Sequence, residues 1–72
     1  MYNNITTNDR INIIRENLRV IENNIEHNKN AKNEELGFSS PSQIVLDFVE
    51  SEILRLQQKK QALLAEIDLL QG

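Results

Sequence analysis

Few side chains in this 72-residue chain have the type and spacing to do chemistry. His27 is the only histidine and there is no cysteine. His27 stands in Glu26-His27-Asn28, without a serine beside it to activate as a nucleophile and without a second histidine or a glutamate at helical spacing to share a metal. Metal binding needs three or four convergent donors, and the remaining carboxylates are scattered. Gly37 and Gly72 are the only glycines, so a phosphate-cradling loop is absent as well. No residue is assigned a catalytic, cofactor or metal role, and the chain reads as non-enzymatic. Two charged groups are left to consider. Glu34 and Glu35 lie just before Gly37, where an acidic hairpin tip would be available as a contact point for a larger partner. Arg10, Arg15 and Arg19, with Lys29 and Lys32, would make a phosphate-contacting row if a dimer presented them together.

The charge balance weighs against nucleic acid. The formal charge is -3, and the basic residues are interleaved with Asp9, Glu16 and Glu22, the pattern of a solvated helix face rather than a basic stripe. Residues 1–7 lack the basic flank and apolar run of a signal peptide. No stretch approaches the roughly 18 consecutive apolar residues of a membrane span. A cytoplasmic protein is therefore expected. A chain this short buries little of its surface, and without disulfides or a metal it is expected to gain stability by association.

What would position these residues is a pair of helices. Leu46, Val49, Ile53, Leu56, Lys60, Leu63, Ile67 and Leu70 follow one another at alternating spacings of three and four, and only Lys60 is not apolar. Ile11, Ile14, Leu18, Ile21 and Ile25 repeat the pattern earlier. Such a stripe is a coiled-coil seam, which must lie lengthwise against another helix. The expected order is a polar tail over 1–7, a first helix over 8–33, a loop over 34–40 and a second helix over 41–71. Thr6 and Asp9 have capping-box spacing, with Thr7 or Asn8 as alternative caps. Ser40, Pro41 and Gln43 suggest the cap and first turn of the second helix. Asn28 and Lys32 interrupt the first stripe, so the first helix is expected to fray between Glu26 and Leu36.

The fold class predicted is all-α: an antiparallel two-helix coiled-coil hairpin that dimerises into a four-helix bundle. With the turn near residues 34–39, Ile25 would meet Leu46, Ile21 Val49, Leu18 Ile53, and Ile14 Leu56. Leu63, Ile67 and Leu70 would then extend past the first helix, where only Met1, Tyr2 and Ile5 remain to cover them. Further apolar residues, among them Ile13, Val20, Ile44, Val45, Phe48, Leu54, Ala62 and Leu69, lie off the seam and call for more than one neighbour. The competing arrangement is a parallel coiled coil of the second helix alone. Lys60 either snorkels from the seam or sets register as a polar seam residue.

Two local resemblances bear on function. Gly37-Phe38-Ser39-Ser40-Pro41-Ser42-Gln43-Ile44-Val45 resembles the turn between the helices of ribbon-helix-helix DNA-binding proteins, but the stretch from Arg10 to Arg15 opens a helical stripe where that family has a strand. The short-hairpin plan is similar to that of Spo0E-like aspartyl-phosphate phosphatases. Their Ser-Gln-Glu-Leu-Asp motif aligns with Ser51-Glu52-Ile53-Leu54-Arg55, in which Ile53 and Arg55 replace the acids. Neither family is assigned. The expected function is a homodimeric protein-protein interaction module, an adaptor, assembly subunit or inhibitor of a larger protein. Its interface would draw on Leu46, Phe48, Val49, Ile53, Leu56, Leu63, Ile67 and Leu70, with Glu34 and Glu35 as a tip contact. A small DNA-associated transcriptional regulator and a regulator of phosphorylation signalling are the alternatives.

Overall fold

A computed structural model describes residues 5–72. It consists of two helices, α1 (Thr7–Leu36) and α2 (Gln43–Gln71), packed against each other as an antiparallel hairpin. Met1 and Tyr2, expected as a cover for the far end of α2, lie outside the described residues. The hairpin is a slab measuring 57 × 25 × 16 Å.

Each helix begins where a hydroxyl can replace the missing turn. The Thr6 Oγ1 accepts the Asp9 backbone N–H at 3.1 Å, and the Asp9 carboxylate accepts the Thr6 N–H at 3.2 Å, which completes a reciprocal capping box. At α2 the cap is Ser42 rather than Ser40. The Ser42 Oγ accepts the Val45 N–H at 3.3 Å, and Pro41 lies one residue before the cap instead of opening the helix. Val45 cannot return the bond, because its side chain has no acceptor. Glu35, from the last turn of α1, supplies the acceptor instead: its Oε2 takes the Ser42 N–H at 2.8 Å. The end of one helix thereby helps to cap the start of the next.

α1 does not fray after Glu26. It runs on about three turns past Ile25, to Leu36. The residues that interrupt its apolar stripe, Asn28, Lys32 and Glu35, are half-buried along with Ala31, so they stay on the seam. Their polar ends find partners: Asn28 donates to the Asn24 carbonyl at 2.8 Å, and the Lys32 ammonium lies 3.1 Å from Glu50 on α2. A lysine stem covers apolar surface while its head reaches the rim, so a polar residue need not end a seam. α1 ends at Gly37, which keeps an ordinary right-handed φ of -76° and donates to the Asn33 and Glu34 carbonyls.

These extra turns of α1 correct the expected register. Ile21 and Ile25 pack with Leu56 and Leu63, and Ile14 and Leu18 pack with Ile67, Leu63 and Leu70. Every pairing has moved about three turns along α2. Ile25 meets Leu56 instead of Leu46, and Ile14 meets Ile67 instead of Leu56. Leu63, Ile67 and Leu70 are therefore no uncovered strip, because α1 itself covers them. Leu46 and Val49, near the loop, are buried opposite the polar end of the α1 seam. Lys60 is half-buried, with its ammonium 3.7 Å from Glu22, so the stem packs and the head escapes.

Leu56, at 5% exposure the most enclosed side chain of the seam, separates core from rim. Leu56→Ala should cost about 2 to 5 kcal/mol in urea denaturation followed by circular dichroism. Leu54→Ala, at a side chain 56% exposed, should cost under about 1 kcal/mol. The register has its own signature: Ile14→Ala and Ile67→Ala should be non-additive, whereas Ile14→Ala and Leu56→Ala should add. The opposite pattern would restore the expected pairing.

Candidate interaction surface

The slab has two broad faces of different character. A groove of about 430 Å³ on one face is lined by Ile25, Lys29, Gln57, Gln58, Lys60 and Gln61. Glu22 and Glu50 lie one heptad before Lys29 and Gln57, so both interhelical ion pairs, Lys60 with Glu22 and Lys32 with Glu50, fall along this polar face. The other face carries two grooves. One, of about 290 Å³, is lined by Asn17, Val20, Ile21, Asn24 and, from α2, Arg55, Leu56, Lys59 and Leu63. The second, of about 220 Å³, is formed by Ile5, Arg10, Ile13, Ile14 and Glu66. No interhelical ion pair closes this face among the described residues.

Heptad spacing extends the second face along both helices. Ile13 and Val20 lie seven residues apart on α1, and Phe48, Arg55, Ala62 and Leu69 follow at sevens on α2. Most of the large members are well exposed: Ile13 at 53%, Phe48 at 67% and Leu69 at 83%. Phe38 and Ile44 add to the apolar surface at the loop end, where both phenylalanines of the chain are found. Leu36, Leu54 and Leu64 are exposed elsewhere, but Ile13, Val20, Phe48 and Leu69 share one side, and apolar residues gathered in this way mark a contact face.

The residues expected at an interface divide by position. Leu46, Val49, Leu56 and Ile67 are buried within the single chain, and Ile53, Leu63 and Leu70 are half-buried in the same seam. Phe48 alone of that set stands well out from the hairpin. Glu35 is occupied by the Ser42 backbone, which leaves Glu34 as the exposed acid of the tip. Ile13, Val20 and Leu69 stand out in the sequence as apolar residues off the seam, and the structure places them on one face.

Two of the five basic candidates are engaged, Arg19 by Glu16 and Lys32 by Glu50. Arg19 is bonded to Glu16, and Arg55 donates to Glu52 at 2.9 Å. The Arg19 hydrogen bond and charge hold the Glu16 carboxyl below its ordinary value, and the Arg55 hydrogen bond does the same for Glu52. Of the row Arg10, Arg15 and Arg19, Arg19 is therefore shielded by Glu16. His27 is exposed, and no group of three His, Cys, Asp or Glu residues suited to a metal occurs among the described residues. No helix among the described residues is long and apolar enough to cross a membrane. No protein-family model matches the chain, and no curated protein and no solved structure matches it either.

Removing the interhelical cap should loosen the loop end. Glu35→Ala should destabilise the hairpin by about 0.5 to 2 kcal/mol, as the loss of a helix cap does. Glu34→Ala should stay within about 0.5 kcal/mol. Equal effects in thermal melts would remove Glu35 from this role. Carboxyl-resolved NMR titration should find Glu16 and Glu52 ionising below the usual glutamate range. Because folding lowers these values, their stabilisation is present at neutral pH and is lost as pH falls through the lowered values.

Proposed function

We propose that this chain is a non-enzymatic interaction module that works as a homodimer, two hairpins closing into a four-helix bundle. The observation that carries the reading is the amount of surface left open. The chain exposes 5676 Å², whereas a folded monomer of its mass exposes about 4600 Å². The excess is about 1000 Å², close to the roughly 800 Å² that each partner buries in an interface of standard size. The shape agrees, since the radius of gyration is 16.8 Å against about 11 Å for a compact domain of this length. A second hairpin covers what the first cannot.

With the dimer closed, the loop end carrying Phe38, Ile44 and Glu34 becomes the place to engage a larger protein, as an adaptor, assembly subunit or inhibitor would. Exposed aromatic side chains are the common anchors of such contacts. A cytoplasmic setting belongs to this reading, supported by the absence of cysteine. The DNA-regulator alternative draws less support, because Arg19 and Lys32 are engaged by Glu16 and Glu50. The phosphorylation-regulator alternative meets Arg55 where the motif would need an acid.

Light scattering at micromolar concentration should return twice the 8.4 kDa chain mass. A stable monomer would overturn the proposal. A trimer or tetramer would replace the dimer while keeping association.

A further inference from the structure

The two broad faces, together with the heights of the residues on them, define one way for a second copy to dock. In an antiparallel hairpin, residues whose numbers share one sum lie at one height along the slab. The residue numbers of both interhelical ion pairs add to 82, and so do those of Ile13 with Leu69 and of Val20 with Ala62. The apolar face therefore carries two level apolar pairs, each with one member on α1 and one on α2, and nearer the loop two mixed pairs, His27 with Arg55 and Glu34 with Phe48. Its polar residues are level in the same way, Asn17 near Glu66 and Asn24 near Lys59.

We infer that a second copy of this chain docks on the face carrying Ile13, Val20, Ala62 and Leu69, related by a two-fold axis parallel to the helices, so that both loops lie at the same end of the bundle. This deepens the homodimer reading and rests on it. Such an axis leaves heights unchanged and lays α1 over α2 of the second copy. Ile13 then meets Leu69 of the partner subunit and Val20 meets Ala62 of the partner subunit, while nearer the loops His27 comes level with Arg55 of the partner subunit and Glu34 with Phe48 of the partner subunit. Asn17 and Asn24 come level with Glu66 of the partner subunit and Lys59 of the partner subunit, amides that can hydrogen-bond either charge. An axis across the slab at its midpoint inverts the heights. Leu69 would then meet Phe48 of the partner subunit, but Ile13 would fall level with Glu34 of the partner subunit, Val20 with His27 of the partner subunit and Ala62 with Arg55 of the partner subunit, so three of the four apolar residues would face polar ones. Both faces carry charges, but the polar face is the poorer choice because Ile25 is the one apolar residue lining its groove, whereas Val20, Ile21, Leu56 and Leu63 line one groove of the other face and Ile5, Ile13 and Ile14 the second. The apolar face is also large enough, because the slab is 57 Å long and 25 Å wide and a standard interface needs only about 800 Å² from each side.

The absence of cysteine makes the test direct. A nitroxide on Ser40→Cys, in the exposed loop, reports the distance between the two loops of the dimer by pulsed electron paramagnetic resonance. Loops at one end give a distance well under the 57 Å length of the hairpin, and loops at opposite ends give one near or beyond that length. The face is tested by Leu69→Asp and Leu64→Asp, both at exposed positions, with circular dichroism verifying that each variant stays helical. Leu69→Asp should weaken dimerisation at least about tenfold, as for loss of an interface anchor, while Leu64→Asp should leave it unchanged. A long loop-to-loop distance, or weakening by Leu64→Asp in place of Leu69→Asp, overturns this arrangement and leaves the homodimer standing. A labelled protein that gives no dipolar signal and a monomeric mass overturns both.

Discussion

A pair of helices meets along one seam, and a single seam cannot enclose a side chain. Each of the nine core residues retains between 5% and 9% of its surface, and none is fully buried. Much else in the hairpin follows from that geometry. The seam must be long to gather enough contact, so both helices run to about 30 residues. The outward faces of both helices stay wet unless something else covers them. Their large apolar residues are then the part of the sequence that the hairpin leaves unexplained.

The seam itself has two ends of different chemistry. Far from the loop, Ile14, Leu18, Leu63, Ile67 and Leu70 form a hydrocarbon cluster. Near the loop, Leu46 and Val49 are covered by a stretch of α1 that carries Lys32 and Glu35. Each of those two charges is anchored on the opposite side of the turn, Lys32 by Glu50 and Glu35 by the Ser42 backbone. The Ser42 hydrogen bond to Glu35 is directional in a way that apolar contacts are not. Both contacts bridge the turn in the register that the apolar cluster adopts.

Much of the architecture was legible in the chain. The alternating spacing identified both helices and the seam faces, since Ile11, Ile14, Leu18, Ile21, Ile25, Leu46, Val49, Leu56 and Ile67 are the buried set. The Thr6 and Asp9 capping box was legible too. Register was not, because Asn28, Lys32 and Glu35 look like the end of a seam when side chains are classed only as apolar or polar. Their stems and partners decide the matter, and those partners lie across the turn. The α2 cap was misplaced for a related reason. Ser40 has Gln43 at the right spacing, whereas Ser42 has only Val45, and the bond that makes up the difference comes from Glu35, seven residues earlier. The face bearing Ile13, Val20, Phe48 and Leu69 was visible as surplus apolar residues, but their common side emerges only once the two helices are placed in register.

In the proposed dimer, one hairpin is an incomplete core and a second copy completes it. Association of that kind ties folding to concentration by mass action. Thermal unfolding followed across a hundredfold range of protein concentration tests this most directly. The account predicts a midpoint that climbs steadily with concentration while the transition remains cooperative. A cooperative transition whose midpoint is the same at every concentration would show that the single hairpin is sufficient, and would contradict it.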